Sequence, residues 1–196
     1  MSSRVSFRHL LHGAGLIVVS ALLVLAGCST SNSPFTPEMT TGTTHIIPAT
    51  QFVPLTLHTS GRAGIMTKPV STTKRVLAAD GGSVEVVGNL YKYSVDVPSD
   101  ALPQDADMSI AIPDDGNALV VLGPHGVQFK TPVTLEISAE FPGTNYGVLK
   151  KTLDIYWYNP DTGMWEAQGA TISKQGSTIT ARVRLNHFSQ YALGGQ

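Results

Sequence analysis

The sequence predicts an all-β chain built around one antiparallel β-sandwich. Three observations carry that expectation. Several stretches alternate strictly between apolar and polar residues, clusters of Gly, Pro and Asp punctuate them at short intervals, and no window keeps an apolar face at helical spacing. Side chains along a strand point to opposite faces in turn, so alternation buries one face and wets the other, as antiparallel sheets do. The roughly 115 residues that follow Gly81 are enough to enclose a single core.

The alternation can be followed along the chain. Tyr93, Val95 and Val97 interleave with Ser94 and Asp96, then Met108, Ile110 and Ile112 with Ser109 and Ala111. Val133, Leu135 and Ile137 interleave with Thr134, Glu136 and Ser138, and Ile179, Ala181, Val183 and Leu185 with Thr180, Arg182 and Arg184. Between these, Leu153–Tyr158 and Met164–Gln168 flank Asn159-Pro160-Asp161-Thr162-Gly163, which predicts a hairpin with a five-residue loop. Pairing Tyr158 with Met164 puts Trp157 opposite Trp165 on the core side, with Leu153 and Ile155. The same register displays Asp154, Tyr156, Tyr158 and Glu166 on the other side, aromatic planes beside carboxylates. That face suits two roles: stacking on a sugar or partner, or covering the sheet beneath the N-terminal segment as ordinary cross-strand aromatics.

Before residue 28 the chain carries Arg4 and Arg8, an apolar run from Leu16 to Leu25, and then small residues. A basic start, a short apolar core and a small-residue exit form a secretory signal, and the run falls short of the roughly twenty residues that span a bilayer. Leu25-Ala26-Gly27-Cys28 resembles the lipobox of bacterial lipoproteins. That resemblance implies cleavage before Cys28, a diacylglyceryl thioether on its sulfur and, in most members, an added N-terminal acyl chain, several chains being what stable anchoring needs. Ser29 after the cysteine, in place of aspartate, implies by the same resemblance the outer membrane if the cell is Gram-negative. Residues 1–27 are thus expected to be a signal peptide.

Cys28 is the one cysteine, so its lipidation leaves none to form a disulfide, and the fold relies on its core alone. The chain has 13 Lys and Arg against 14 Asp and Glu; without Arg4 and Arg8 the balance is about −3, with no basic cluster beyond Lys74-Arg75 and Lys150-Lys151. Nucleic acid is not an expected partner. Residues 28–79 are rich in Thr, Ser and Pro, with Pro34, Pro37, Pro48, Pro54 and Pro69 interrupting any period, and read as a tether. Ile46-Ile47 and the apolar residues from Phe52 to Leu57 interrupt that reading. Residues 46–57 either form an edge strand, where proline is tolerated, or belong to the tether.

Over residues 80–193 the order of motifs resembles the ZU-five domain, a β-sandwich of junction proteins, netrin receptors, ankyrins and bacterial surface proteins. Gly81-Gly82-Ser83-Val84 is similar to its opening, and Val97-Pro98-Ser99-Asp100-Ala101-Leu102 to its proline-led turn, with Asp100 where the pattern has glycine. Leu122-Gly123-Pro124-His125-Gly126-Val127-Gln128-Phe129, followed by Pro132-Val133-Thr134-Leu135, resembles its central signature. The closing His187-Phe188-Ser189 resembles the motif at which some members cut themselves: the serine hydroxyl attacks the preceding carbonyl and the histidine assists proton transfer. Residues 80–196 are therefore expected to be a ZU-five-like sandwich, with His187, Phe188 and Ser189 as candidates for self-cleavage. The competing reading makes the same residues a closing strand in which Phe188 and Tyr191 pack and Ser189 is hydrogen-bonded.

The remaining polar residues select no trans-acting chemistry. His125 lies on a glycine-rich turn with no second His or Cys at ligand spacing, which reads as a solvent-facing side chain. Asp100, Asp105, Asp107, Asp114 and Asp115 offer oxygen ligands of a kind that suits calcium, but not at EF-hand spacing, and solvated turns account for them. No glycine-flanked serine sits at a strand-to-helix elbow. The expectation is a membrane-anchored lipoprotein, not an enzyme and without a cofactor or metal. It displays a sandwich to an envelope protein or polysaccharide. The alternatives are a self-processing module and a surface module that binds carbohydrate or calcium through Asp154, Tyr156, Tyr158 and Glu166.

Overall fold

The computed structural model describes residues 45–56, 70–113, 116–141 and 151–196. Cys28, the signal segment, Asp114 and Asp115 lie outside them. The described residues are all-β and form two antiparallel sheets packed face to face, the sandwich that the alternation predicts. The strands are β1 Ile46–Pro48, β2 Val53–Pro54, β3 Val70–Val76, β4 Gly82–Val87, β5 Tyr91–Val97, β6 Ala106–Ile112 and β7 Leu119–Gly123. They continue as β8 Gln128–Glu140, β9 Asp154–Asn159, β10 Met164–Ala167, β11 Thr171–Gln175, β12 Thr178–His187 and β13 Gln190–Gly195. One sheet runs β1-β10-β9-β13-β7-β6-β3 with β2 also paired to β13, and the other runs β11-β12-β8-β5-β4.

The period-two residues do what alternation demands. Tyr93, Val95, Met108, Ile110, Ile112, Val133, Leu135, Ile137, Ile179, Ala181 and Leu185 are all buried in one continuous core between the sheets. Their polar neighbours Asp96, Arg182 and Arg184 face water. Ser94 is the exception, buried although it lies on the wet side of β5.

Three strands come from the stretch whose composition reads as tether. β3 pairs with β6 along its full length, from Val70↔Ile112 to Val76↔Ala106. β1 pairs with β10 at one edge of the sheet, and β2 pairs with β13 beyond the point where β13 leaves β7. Strands β10, β9 and β13 lie between those two attachments, so the chain from Pro48 to Val53 crosses the outer face of the sheet as a strap. The composition hides this because Pro48 and Pro54 sit at strand ends of an edge and a two-residue strand, where a missing N–H costs little.

Two turns show how local chemistry sets the framework. Asp100 is the one non-glycine among the described residues with positive φ, at 59°, a conformation that glycine adopts without steric cost. Its N–H donates to the Ala78 carbonyl at 2.7 Å and ties this turn to the corner after β3. At Gly123 the requirement is space, since a Cβ there would lie 2.5 Å from Ser109 Oγ. The neighbouring Gly126 has φ of 81°, so of the two glycines flanking Pro124 it alone needs the left-handed region.

Candidate functional site

The β9–β10 hairpin carries the predicted ligand-facing residues, and its register differs from the expected one by a residue. Met164 pairs with Asn159, Trp165 with Tyr158, Glu166 with Trp157 and Ala167 with Tyr156. The cause is Asn159. Its side-chain oxygen accepts from Asp161 N at 3.0 Å and its carbonyl from Gly163 N at 2.9 Å, so it closes the turn from within the ladder and shortens the loop to four residues. A one-residue slip exchanges faces. The two tryptophans therefore lie on opposite faces: Trp157 is half-buried against the main core, and Trp165 is buried on the outer face with Tyr156.

The outer face of β9 and β10 is closed rather than displayed. Tyr156 is fully buried, in a second cluster with Ile47, Trp165 and Ala192, and Tyr158 is half-buried against it. The strap closes it: Phe52 stacks on Trp165 with ring centres 4.5 Å apart and meets Tyr156 edge-on at 5.2 Å. The Tyr156 hydroxyl donates to Thr152 O at 2.7 Å and contacts His45 Nδ1 at 3.1 Å. Burial, helped by the nearby Asp154 charge, pushes the Tyr156 phenol up to about 12. Of the two roles open to this face, the geometry shows tyrosines packed beneath the N-terminal segment.

Asp154 and Glu166 have structural partners. Asp154 accepts from Ala170 N at 2.7 Å and Gly169 N at 3.1 Å, holding the corner between β10 and β11. Burial raises its pKa, and the backbone donors only partly offset that effect. Glu166 lies opposite Trp157, away from the tyrosines, and accepts from Asn159 Nδ2 at 2.7 Å.

The strap needs close backbone approach at the far side of the sheet. A Cβ at Gly194 would fall 2.5 Å from Val53 O and 2.7 Å from Phe52 Cζ, and one at Gly195 would fall 2.7 Å from Thr152 Oγ1. Gly194 is the signal in the sequence for this close approach, since only there would a Cβ meet the strap.

The second candidate set, His187, Phe188 and Ser189, lies at the corner from β12 to β13, just after a register shift between Leu185 and His187. Phe188 is buried and meets Phe129 edge-on at 4.7 Å, so both rings close one end of the core. Phe188 N donates to Val127 O at 3.3 Å, and Leu122 N donates to Ser189 O at 2.9 Å. The Ser189 hydroxyl oxygen accepts from Trp157 Nε1 at 2.9 Å. His187 packs edge-on against the Trp157 ring, and its carbonyl accepts from the Tyr191 hydroxyl at 2.8 Å. The Ser189 hydroxyl thus has the indole as its partner rather than the imidazole, the arrangement of a packed closing strand. Tyr156 and Tyr191 each bond the carbonyl four residues upstream, the tyrosine-corner device of β-sandwiches, once at each of two corners.

His125 is exposed on its turn. Asp105 and Asp107 both face Arg75, at 3.7 and 3.5 Å, and Asp105 also accepts from Ala78 N at 2.9 Å. Among the described residues no group of three His, Cys, Asp or Glu is placed to hold a metal ion. No family model matches the sequence, and no curated protein matches it.

Proposed function

We propose that the chain is an exported lipoprotein, anchored through a diacylglyceryl thioether on Cys28, whose ZU-five-like sandwich serves as an interaction or structural module at the cell envelope. One observation carries this reading: Leu25-Ala26-Gly27-Cys28 closes an apolar run too short to span a bilayer and preceded by Arg4 and Arg8. The packed corners and closed aromatic face described above are consistent with a display module, because candidate reactive and stacking side chains are occupied in holding the fold. A partner of this module is an envelope protein or a polysaccharide, and the outer membrane is its site in a Gram-negative cell.

Metabolic labelling with a fatty-acid analogue tests the anchor. Label is expected on the wild-type chain and absent from Cys28→Ala; label that persists in the variant overturns the reading. Crosslinking in intact envelopes followed by capture of the chain identifies the partner, and a chain that crosslinks only to itself argues for a purely structural role.

A further inference from the structure

β1, the strap and β10 carry three of the five large apolar side chains most exposed in the described structure: Ile46 at 51 %, Val53 at 49 % and Met164 at 38 %. Ile46 and Met164 are diagonal neighbours, since Ile46 pairs with Glu166 and the exposed Pro48 pairs with Met164. Ile46, Pro48 and Met164 therefore form an apolar strip along the β1 edge of the sheet, which no other described strand covers. In β1 only Ile47, between them, is buried, in the outer-face cluster with Tyr156 and Trp165.

This strip is also where the chain from the anchor arrives. Seventeen residue steps separate Cys28 from His45, the residue before β1. At roughly 3.5 Å per step the edge stays within about 60 Å of the lipid-bearing residue, whatever path the intervening chain takes. Short connections of this kind give effective concentrations in the millimolar range, so a contact too weak to form between separate molecules becomes populated. Small exposed apolar groups otherwise need no explanation; here they gather on the edge where the chain leading from Cys28 enters the sheet.

We propose that the apolar edge formed by Ile46, Pro48 and Met164 rests on the lipid surface that holds Cys28, so that the sandwich sits edge-down rather than tumbling on its connection. The inference rests on the anchor reading. Asp161 at the adjacent hairpin tip and the acidic balance of the chain give no reason to require anionic lipid, so neutral phosphatidylcholine is the surface to use.

The experiment uses the full lipidated chain in phosphatidylcholine vesicles, where the Cys28 thiol is blocked and a new cysteine takes the label. An environment-sensitive dye is placed at Met164→Cys and, in a separate protein, at Val87→Cys; Val87 is 63 % exposed at the end of β4, in the other sheet. The expected result is a blue-shifted emission at position 164 and not at 87, with the shift at 164 reduced by Ile46→Asp. Ile46→Cys repeats the measurement if label at 164 disturbs the hairpin. Equal emission at the two edges, or a shift at 164 that Ile46→Asp leaves untouched, overturns the edge-down placement. Intact mass and vesicle flotation separate the two levels: a chain without acyl mass on Cys28 that fails to float overturns the anchor and this inference with it, whereas a floating, acylated chain with equal emissions overturns this inference alone.

Discussion

Truncating Tyr156 and Trp157 in turn separates two descriptions of the same strand. Tyr156 is fully buried between the sheet and the strap, with Phe52, Ile47 and Trp165 around its ring and Thr152 O on its hydroxyl. Removing a large aromatic from such a site costs about 3 to 5 kcal/mol, and about 1 kcal/mol of that belongs to the hydroxyl bond, which Tyr156→Phe isolates. Trp157 is half-buried and contributes its packing and one bond to Ser189, so Trp157→Ala is expected to cost about 2 to 3 kcal/mol. For a domain of this size about 4 kcal/mol lowers the urea midpoint by roughly 2 M. The strap is tested in the same series: Phe52→Ala and Tyr156→Ala remove one shared contact, so the double variant is expected to fall short of the summed effects by at least about 0.5 kcal/mol. Urea unfolding followed by circular dichroism reads all five variants against the wild type. A ranking in which Trp157→Ala costs more than Tyr156→Ala, or strict additivity of Phe52 with Tyr156, refutes the closed outer face.

Four other outcomes follow from the same coordinates. Burial raises the phenol pKa of both Tyr156, to about 12, and Tyr191, so the folded state keeps protons that the unfolded chain releases near 10; stability is intact below pH 10 and falls as pH rises from there toward 12, and the part of the phenolate absorbance lost in Tyr156→Phe and Tyr191→Phe is expected to appear together with unfolding rather than before it. Asp100→Gly relieves a left-handed backbone at φ 59° and is expected to change stability by less than about 1 kcal/mol, whereas Asp100→Val is expected to cost more than that, both read by thermal melts. Gly194→Ala places a Cβ against Val53 O and Phe52, so the strap should become the preferred site of limited proteolysis while β-sheet circular dichroism persists; unchanged cleavage would contradict the crossing. Because Ser189 Oγ is held by the Trp157 indole, denaturing intact-mass analysis is expected to show one uncut chain, and a fragment ending at Phe188 that disappears in Ser189→Ala would reverse that conclusion.

The parts of the fold that were legible in the sequence are those governed by side-chain alternation. Met108, Ile110 and Ile112, or Val133, Leu135 and Ile137, had no choice of face once the period was two, and the structure buries every one. The hairpin failed at a different level, because its register depends on whether Asn159 belongs to the loop or to the ladder, and the side-chain bond from Asn159 to Asp161 decides that without altering the apolar pattern. The slip carried Tyr156 and Trp165 to the same face and left Glu166 on the other. The strap was half legible for a third reason: residues 46–57 offered an edge strand as one alternative, but five strand residues separated by a turn and bounded by prolines have no period to detect, and their docking depends on close approach at Gly194, some 140 positions later. At the β12–β13 corner the Ser189 hydroxyl accepts from Trp157, a partner so distant in sequence that no local pattern discloses it.

The crossing of Pro48–Val53 over β10, β9 and β13 also fixes an order of events during synthesis. The strap leaves the ribosome early, yet the surface that receives it is not complete until residues 190–195 have followed. For almost the whole time of synthesis Ile47 and Phe52 have nothing to dock on, and Tyr156 and Trp165, once formed into a hairpin, stand uncovered. Contacts spanning this much chain form late and slowly. The last strand therefore acts as a completion signal: only a chain that has delivered β13 can draw its own beginning across the finished sheet, and a chain stopped short leaves an aromatic face open to chaperones and proteases.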